Sequence, residues 1–166
     1  MSGIINATNL EVENIKNTSG TAYNFIKQVV QPAKLVQSTA YGSVSPTGNA
    51  TFTDTGLTAS ITPSSASSKV LIFCNGLFFY RRNQEVRFRF MRDSTAIMTM
   101  CGYAEVSDGF FTMPAPSGYM DSPSTTSAVT YKLQFYGHAD YTAMRFNYGG
   151  SAGLGEASIT LLEVAG

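Results

Sequence analysis

Residues 85–91 read Glu-Val-Arg-Phe-Arg-Phe-Met. Successive side chains of a β-strand point to opposite faces of the sheet, so this stretch places its valine and two phenylalanines on one face and Arg87, Arg89 and Met91 on the other. The Asp93-Ser94 pair that follows predicts a tight turn into a second strand. The stretch therefore predicts a strand with one apolar face and one basic face.

Short apolar stretches of the same kind recur along the rest of the chain, separated by turns rich in Gly, Pro and Ser. The only stretch compatible with a helix is residues 22–30. Many short strands with frequent turn signals are typical of an all-β sandwich or jelly roll and not of an α/β fold. The predicted strands are residues 34–40, 51–53, 57–61, 69–81, 85–91, 95–101, 110–113, 128–136, 143–148 and 157–164.

Charge is scarce in this chain of 166 residues. Charged residues make up 13% of it and the formal net charge is zero, whereas about a quarter of an average protein is charged. A surface with so little charge promotes association, so the composition favours a permanent oligomer. We find neither a stretch of about 20 apolar residues that could span a membrane nor a signal peptide, and we expect no membrane insertion and release by cell lysis.

Residues 1–33 differ in pattern from the rest. They carry widely spaced apolar residues in a polar background and end at Pro32. We interpret them as an extended N-terminal arm that docks on another protein, with a frayed terminus as the alternative, and residues 34–166 as one jelly-roll domain. The candidate docking residues are Ile4, Ile5, Leu10, Val12 and Ile15.

No catalytic, metal or cofactor site is predicted. The single histidine, His138, has no partners at zinc-ligand spacing, and no Gly-x-Ser-x-Gly motif accompanies it. The Gly-rich segment 149–155 precedes a predicted strand and not the helix that a phosphate-binding loop requires. Cys74 and Cys101 both lie in predicted strands, and we expect two unpaired thiols in the core.

Basic residues concentrate in one segment. Five arginines fall within twelve positions, with Glu85 as the only acid among them, and Tyr80 directly precedes them. One interpretation is pairing across a subunit contact with Glu105, Asp108 or Asp140. The other is recognition of an acidic partner surface or an anionic glycan. Neutral net charge and the lack of a known motif argue against nucleic acid. The candidate contact residues are Tyr80, Arg81, Arg82, Arg87, Arg89 and Arg92.

Aromatic residues also point to a covered surface. Phe78, Phe79 and Tyr80 follow one another in a predicted strand, which places aromatic rings on both faces of the sheet. In a two-layer sandwich one of these faces would meet water. We therefore expect a neighbouring subunit to cover it, as in a homotrimer.

Three segments carry a resemblance to a known group of proteins. Residues 121–134, 52–72 and 157–165 resemble sequence segments of small structural proteins of bacteriophages, particularly of marine phages and phages of cyanobacteria. That resemblance implies a C-terminal jelly-roll module similar to tumour-necrosis-factor and C1q heads, assembled as a homotrimer, without cofactor or turnover. Its partners would be the chain itself and other phage capsid or tail proteins, and its location the virion, assembled in the host cytoplasm.

Three functions remain open at this point. The length leaves no room for a fibre shaft, which favours a capsid decoration protein, a head fibre or a short tail fibre. A receptor-binding tail fibre tip that adheres to host surface glycans is the alternative. An esterase or depolymerase would need a clustered acid pair or triad, and the acids are scattered singly along the sequence.

Overall fold

The computed structural model describes residues 26–30, 35–36, 51–81, 84–104, 110–137, 145–147 and 156–166. These residues contain strands and no helix, and every strand pair is antiparallel. The strands are β1 (Ile26–Val30), β2 (Leu35–Val36), β3 (Phe52–Ile61), β4 (Lys69–Asn75), β5 (Leu77–Arg81), β6 (Gln84–Arg92), β7 (Thr95–Ala104), β8 (Phe110–Pro114), β9 (Tyr119–Asp121), β10 (Val129–Gly137), β11 (Arg145–Phe146) and β12 (Glu156–Val164).

One layer of the fold is a sheet with the strand order β3-β10-β6-β7, which we call the four-stranded sheet. The strand predicted from residues 85–91 lies in its interior, and the Asp93-Ser94 turn connects it to β7 as predicted. Val86, Phe88 and Phe90 are completely buried, whereas Arg87 and Arg89 are partly exposed on the opposite face. The predicted division of faces is confirmed.

The other layer consists of two sheets, β1-β12-β4-β9 and β11-β5-β8, that share one register. Val70 in β4 lies opposite Asp121 in β9, and Leu77 in β5 lies opposite Pro114 in β8. The antiparallel register is therefore the same on both sides of the gap between the two sheets. Backbone hydrogen bonds of 2.9 Å from Ala115 N to Gly76 O and from Gly118 N to Ile72 O bridge that gap. The two sheets therefore form one layer with a break, which we call the interrupted sheet.

Gly76 marks the break between β4 and β5. A Cβ at this position would lie 2.7 Å from Cζ of Phe146 and 3.1 Å from Cβ of Ala157, so only glycine fits without displacing the ring. The single strand predicted over residues 69–81 is wrong in this respect. The predicted lack of alternation is also wrong, because buried and exposed residues alternate along β4.

The strand order is that of a jelly roll. When β1 with β2, β4 with β5, β8 with β9 and β11 with β12 are each counted as one interrupted strand, the interrupted sheet has the order 1-8-3-6 and the four-stranded sheet has the order 2-7-4-5. Two antiparallel sheets connected in this way form a double Greek key. The predicted all-β jelly-roll sandwich is confirmed.

The core lies between the two sheets. It is filled mainly by aliphatic and aromatic residues. Its largest fully buried side chains are Tyr131 and five phenylalanines, namely Phe78, Phe88, Phe90, Phe135 and Phe146. Phe78 links the layers, because its ring centroid lies 4.0 Å from that of Phe88 and 4.6 Å from that of Phe146. Both ring pairs are tilted, an arrangement that aromatic side chains favour over a face-to-face stack.

An ion pair joins the two layers at one end. The Arg92 guanidinium lies on the core side of β6 and contacts the carboxylate of Asp121 in β9, with Nη1 2.9 Å from Oδ2. The Tyr131 hydroxyl donates to the same Oδ2 at 2.7 Å. Burial, and then the hydrogen bond to the Asp121 carboxylate, raise the pKa of Tyr131 above its ordinary value of 10.0. We call this group the end clamp.

Two further predictions fail in the described residues. The stretch compatible with a helix contains β1, which pairs with β12, so residues 26–30 are extended and not helical. The turn predicted at Asp54-Thr55-Gly56 is an irregularity inside the single strand β3. There Thr55 Oγ1 donates to Leu133 O at 2.8 Å and accepts from Leu57 N at 3.1 Å, which satisfies backbone groups that the bulge leaves unpaired. The division between arm and domain at residues 33 and 34 stays a prediction.

Candidate functional site

The outer surface of the four-stranded sheet carries an ordered set of polar and aromatic side chains. We call it the arginine face. Its members come from three adjacent strands and are Phe52, Asp54, Arg87, Arg89, Lys132, Gln134 and Tyr136.

Arg89 is held from several sides. Its guanidinium carbon lies 3.8 Å from the centroid of the Phe52 ring, and its Nε donates to Oε1 of Gln134 at 2.6 Å. Gln134 in turn donates through Nε2 to Oδ1 of Asp54. Because the register places Asp54, Gln134 and Arg89 opposite one another, this chain of contacts crosses three strands in one straight row.

The other two cations of the arginine face each contact a carboxylate. Arg87 Nε lies 2.8 Å from Glu85 Oε1, and the Arg87 guanidinium stacks 5.0 Å from the centroid of the Tyr136 ring. Lys132 Nζ lies 3.1 Å from Asp54 Oδ2. Burial alone would raise the pKa of Asp54, but hydrogen bonds from Gln134 and Lys132 and the nearby positive charges lower it below 3.8.

The arginine segment of the sequence therefore divides in the structure. Arg87 and Arg89 share the outer face, whereas Arg92 belongs to the end clamp on the core side. Arg81 lies in β5, in the other layer, and its side chain and that of Tyr80 are outside the described residues, as is all of Arg82. Glu105, Asp108 and Asp140 also fall outside them, so the pairing across a subunit contact stays a prediction.

The five candidate docking residues of the arm lie outside the described residues, as does His138. They are Ile4, Ile5, Leu10, Val12 and Ile15. Within the described ranges, no helix is long and apolar enough to cross a membrane. Nor do the described residues contain a group of three His, Cys, Asp or Glu side chains that could hold a metal ion.

Sequence reasoning missed Phe52, Asp54, Gln134 and Tyr136. Part of the signal was present, because the apolar residues of 129–135 alternate with Lys132, Gln134 and Tyr136 and so assign these three to the outer face. Their proximity to Arg89 could not be predicted, since it depends on which strands lie side by side. Gln134 is 45 residues from Arg89 in sequence.

The outer surface of the interrupted sheet carries a group of neighbouring apolar side chains. Leu71 lies in β4 between Leu162 of β12 and Met120 of β9, so one apolar row crosses three strands. Phe73 and Leu77 continue it along the chain and are 41% and 52% exposed. We call this surface the apolar face, and its members are Leu71, Phe73, Leu77, Phe79, Met120, Leu162 and Val164.

Both cysteines are unpaired, as predicted, but they differ in environment. Cys74 faces the core, and burial raises the pKa of its thiol to about 12. Cys101 is exposed, so the prediction of a core position is wrong for it. It lies on β7, an edge strand of the four-stranded sheet. Its side chain is opposite Arg87 on the outer surface of that sheet.

We expect the two thiols to differ in alkylation. In the folded protein at neutral pH, iodoacetamide should modify Cys101 rapidly and leave Cys74 unmodified, because alkylation requires an accessible thiolate. Mass spectrometry of peptides after timed labelling measures both rates, and labelling in urea should make them similar. Equal rates in the native protein would contradict the buried position of Cys74.

Comparison with known proteins adds little to this geometry. No family model matches the sequence, and no curated protein is detectably similar. The resemblance to phage proteins with a C1q-like module therefore stays a prediction.

Among solved structures, three from infectious bursal disease virus share a backbone likeness. The VP2 subviral particle has a TM-score of 0.46 at 10% identity, covering 94% of this chain and 37% of the viral chain. The Gt strain gives 0.44 at 9% identity, with 95% and 43% covered. The Gx strain gives 0.41 at 13% identity, with 97% and 36% covered. This chain spans less than half the length of each of them.

Proposed function

We propose that this chain is a non-enzymatic structural protein of a virion, a homotrimeric jelly-roll knob mounted through its N-terminal arm. The observation that carries the proposal is the apolar face. Phe73, Leu77 and Met120 are each more than 40% exposed there and lie on neighbouring strands, next to half-buried leucines. Contiguous exposed apolar surface on a soluble protein marks an interaction site.

A second copy of the chain is the partner that fits this face best. Obligate subunit contacts are apolar and poor in charge, which matches both the apolar face and a chain with 13% charged residues. A threefold arrangement closes a contact between two different surfaces of identical subunits and leaves no open end. Trimerisation through the apolar face would leave the arginine face, on the opposite side of the sandwich, accessible.

The position of β1 supports mounting through the N-terminal segment. β1 pairs with β12 so that Ile26 lies opposite Val164, at the end of the sandwich that carries the end clamp. β1 therefore begins at that end of the sandwich. As capsid decoration, head fibre or short tail fibre, the knob would contact other phage capsid or tail proteins there, after assembly in the host cytoplasm and before release by lysis.

A truncation tests the proposed mounting. A chain that begins at Phe25 keeps β1 and all later strands, so we expect it to remain a folded trimer by light scattering at micromolar concentration. We also expect it to be missing from purified particles, in which immunogold labelling should locate the full chain. Normal incorporation of the truncated chain would show that residues 1–24, which include all five candidate docking residues, are not the anchor, and a monomeric full chain would contradict the trimer.

A further inference from the structure

Arg89 is a cation whose position is set before any ligand arrives. Its guanidinium plane rests on the Phe52 ring at 3.8 Å, and its Nε is bonded to Gln134, whose side chain is largely buried. Gln134 is fixed in turn by Asp54. A guanidinium ordered in this way loses little conformational freedom on binding, and its planar fork matches the two oxygens of a carboxylate.

Arg89 also differs from its neighbours in charge balance. Arg87 and Lys132 each contact a carboxylate, at 2.8 Å and 3.1 Å. Among the residues that the structure describes, no carboxylate forms an ion pair with Arg89, and its hydrogen-bond partner is the neutral amide of Gln134. One positive charge on this surface is therefore available to an anionic group from outside.

A depression of about 350 Å³ lies on the same sheet, and Asp54 in its lining is connected to Arg89 through Gln134. It forms where β3 bulges at Gly56, which has a φ of 87° and presents no side chain. Its rim includes hydroxyl groups, an ammonium group and carboxylates, and Leu57 contributes an apolar part. The polar residues that line it are Asp54, Thr58, Asp93, Thr130 and Lys132.

The chemistry of this depression suits hydroxyl groups. Thr58 is exposed, and Thr130 Oγ1 shares a 2.8 Å hydrogen bond with Ser60 Oγ. Asp93 uses Oδ1 to accept from Thr130 N at 2.9 Å. Donors and acceptors of this kind, placed close together in a volume within the range of small-molecule sites, match a ring that carries several hydroxyls.

We propose that the arginine face binds a saccharide that carries a carboxylate. Arg89 receives the carboxylate, and the depression receives the hydroxyls of the same or the adjacent ring. Asp54 belongs to both parts, because it fixes Gln134 and lines the depression. A flat acidic protein surface would use Arg89 but would leave the depression empty, so the two features together favour the saccharide. The proposal requires an accessible arginine face and does not depend on a role in a virion.

Titration followed by NMR tests this site with defined probes. We would compare oligomers of galacturonate, glucuronate and mannuronate with their neutral hexose counterparts, using the full chain. We expect at least one carboxylated oligomer to bind more tightly than its neutral counterpart and to shift the signals of Arg89 and Thr58.

Variants then locate the binding. Arg89→Gln should weaken affinity by at least about tenfold, the loss expected for a charge-assisted hydrogen bond. Arg89→Lys, which keeps the charge but not the fork, should retain part of it, and Thr58→Val should weaken it through the depression. Lys69→Gln removes one positive charge from the other layer and serves as the matched control, with no effect expected.

Three outcomes would overturn the proposal. The first is that no carboxylated oligomer is preferred over its neutral counterpart. The second is that Lys69→Gln weakens binding as much as Arg89→Gln, which would indicate nonspecific charge attraction. The third is that polyglutamate binds as tightly as the best saccharide and is insensitive to Thr58→Val, which would identify an acidic protein surface as the partner.

Discussion

Replacing Asp121 with alanine is expected to lower the free energy of unfolding by about 3–5 kcal/mol, the cost of removing one partner from a buried ion pair. The Asp121 side chain is 8% exposed and that of Arg92 is 27% exposed. The substitution would leave the Arg92 charge and the fully buried Tyr131 hydroxyl without their shared acceptor. It would also remove the ion pair that connects the two layers at this end of the sandwich.

Urea unfolding at fixed protein concentration measures this effect. Asp54→Asn is the control, because it removes an exposed ion pair with Lys132, the Asp54 side chain being 53% exposed, but keeps an oxygen that can accept from Gln134. We expect that control to cost at most about 1 kcal/mol, as exposed ion pairs do. If Asp121→Ala cost no more than Asp54→Asn, the end clamp would not be a major source of stability.

The second large effect is expected from the apolar face. The double variant Phe73→Lys/Leu77→Lys should convert the proposed trimer into a folded monomer, because two ammonium groups per subunit would be buried without partners in the contact. Both side chains are already exposed in the single subunit, so the fold itself should be little affected. Light scattering at micromolar concentration measures the mass, and circular dichroism reports the fold.

Ser60→Lys controls for the added charge. Ser60 is exposed on the outer surface of the four-stranded sheet, away from the apolar face, and this variant should remain trimeric. A trimeric double variant would place the subunit contact elsewhere on the molecule. It would also leave the exposure of Phe73 and Leu77 without an explanation.

Local patterns predicted this fold well where one face of a strand is buried and the other is polar. The alternation in residues 85–91 sorted Val86, Phe88 and Phe90 from the arginines correctly, since a period of two leaves no other assignment. Residues 54–56 failed because Asp-Thr-Gly is a signal for a turn and for a bulge alike. What separates the two is the pairing of β3 with β10, which no local pattern reveals.

The candidate sites depended even more on distant contacts. Asp121 reads as the first residue of a polar turn, but in the structure it is buried and contacts Arg92, which is 29 residues away in sequence. Arg92 itself was grouped with Arg87 and Arg89 by proximity in sequence, although it lies on the other side of β6. The break at Gly76 was equally hidden, because the ring that excludes a side chain there belongs to Phe146.

The pairing of β1 with β12 also has a use in protein engineering. Ile26 lies opposite Val164, and Ser67 Oγ donates to Gly166 O, so β1 begins and β12 ends at the same end of the sandwich. A fluorescent protein fused after Gly166 would crowd the segment that we assign to mounting. β4 begins at Lys69 near that end, and β5 continues it to the opposite end of the sandwich. An epitope inserted between β5 and β6 would therefore lie far from the proposed mounting segment and be accessible to antibodies.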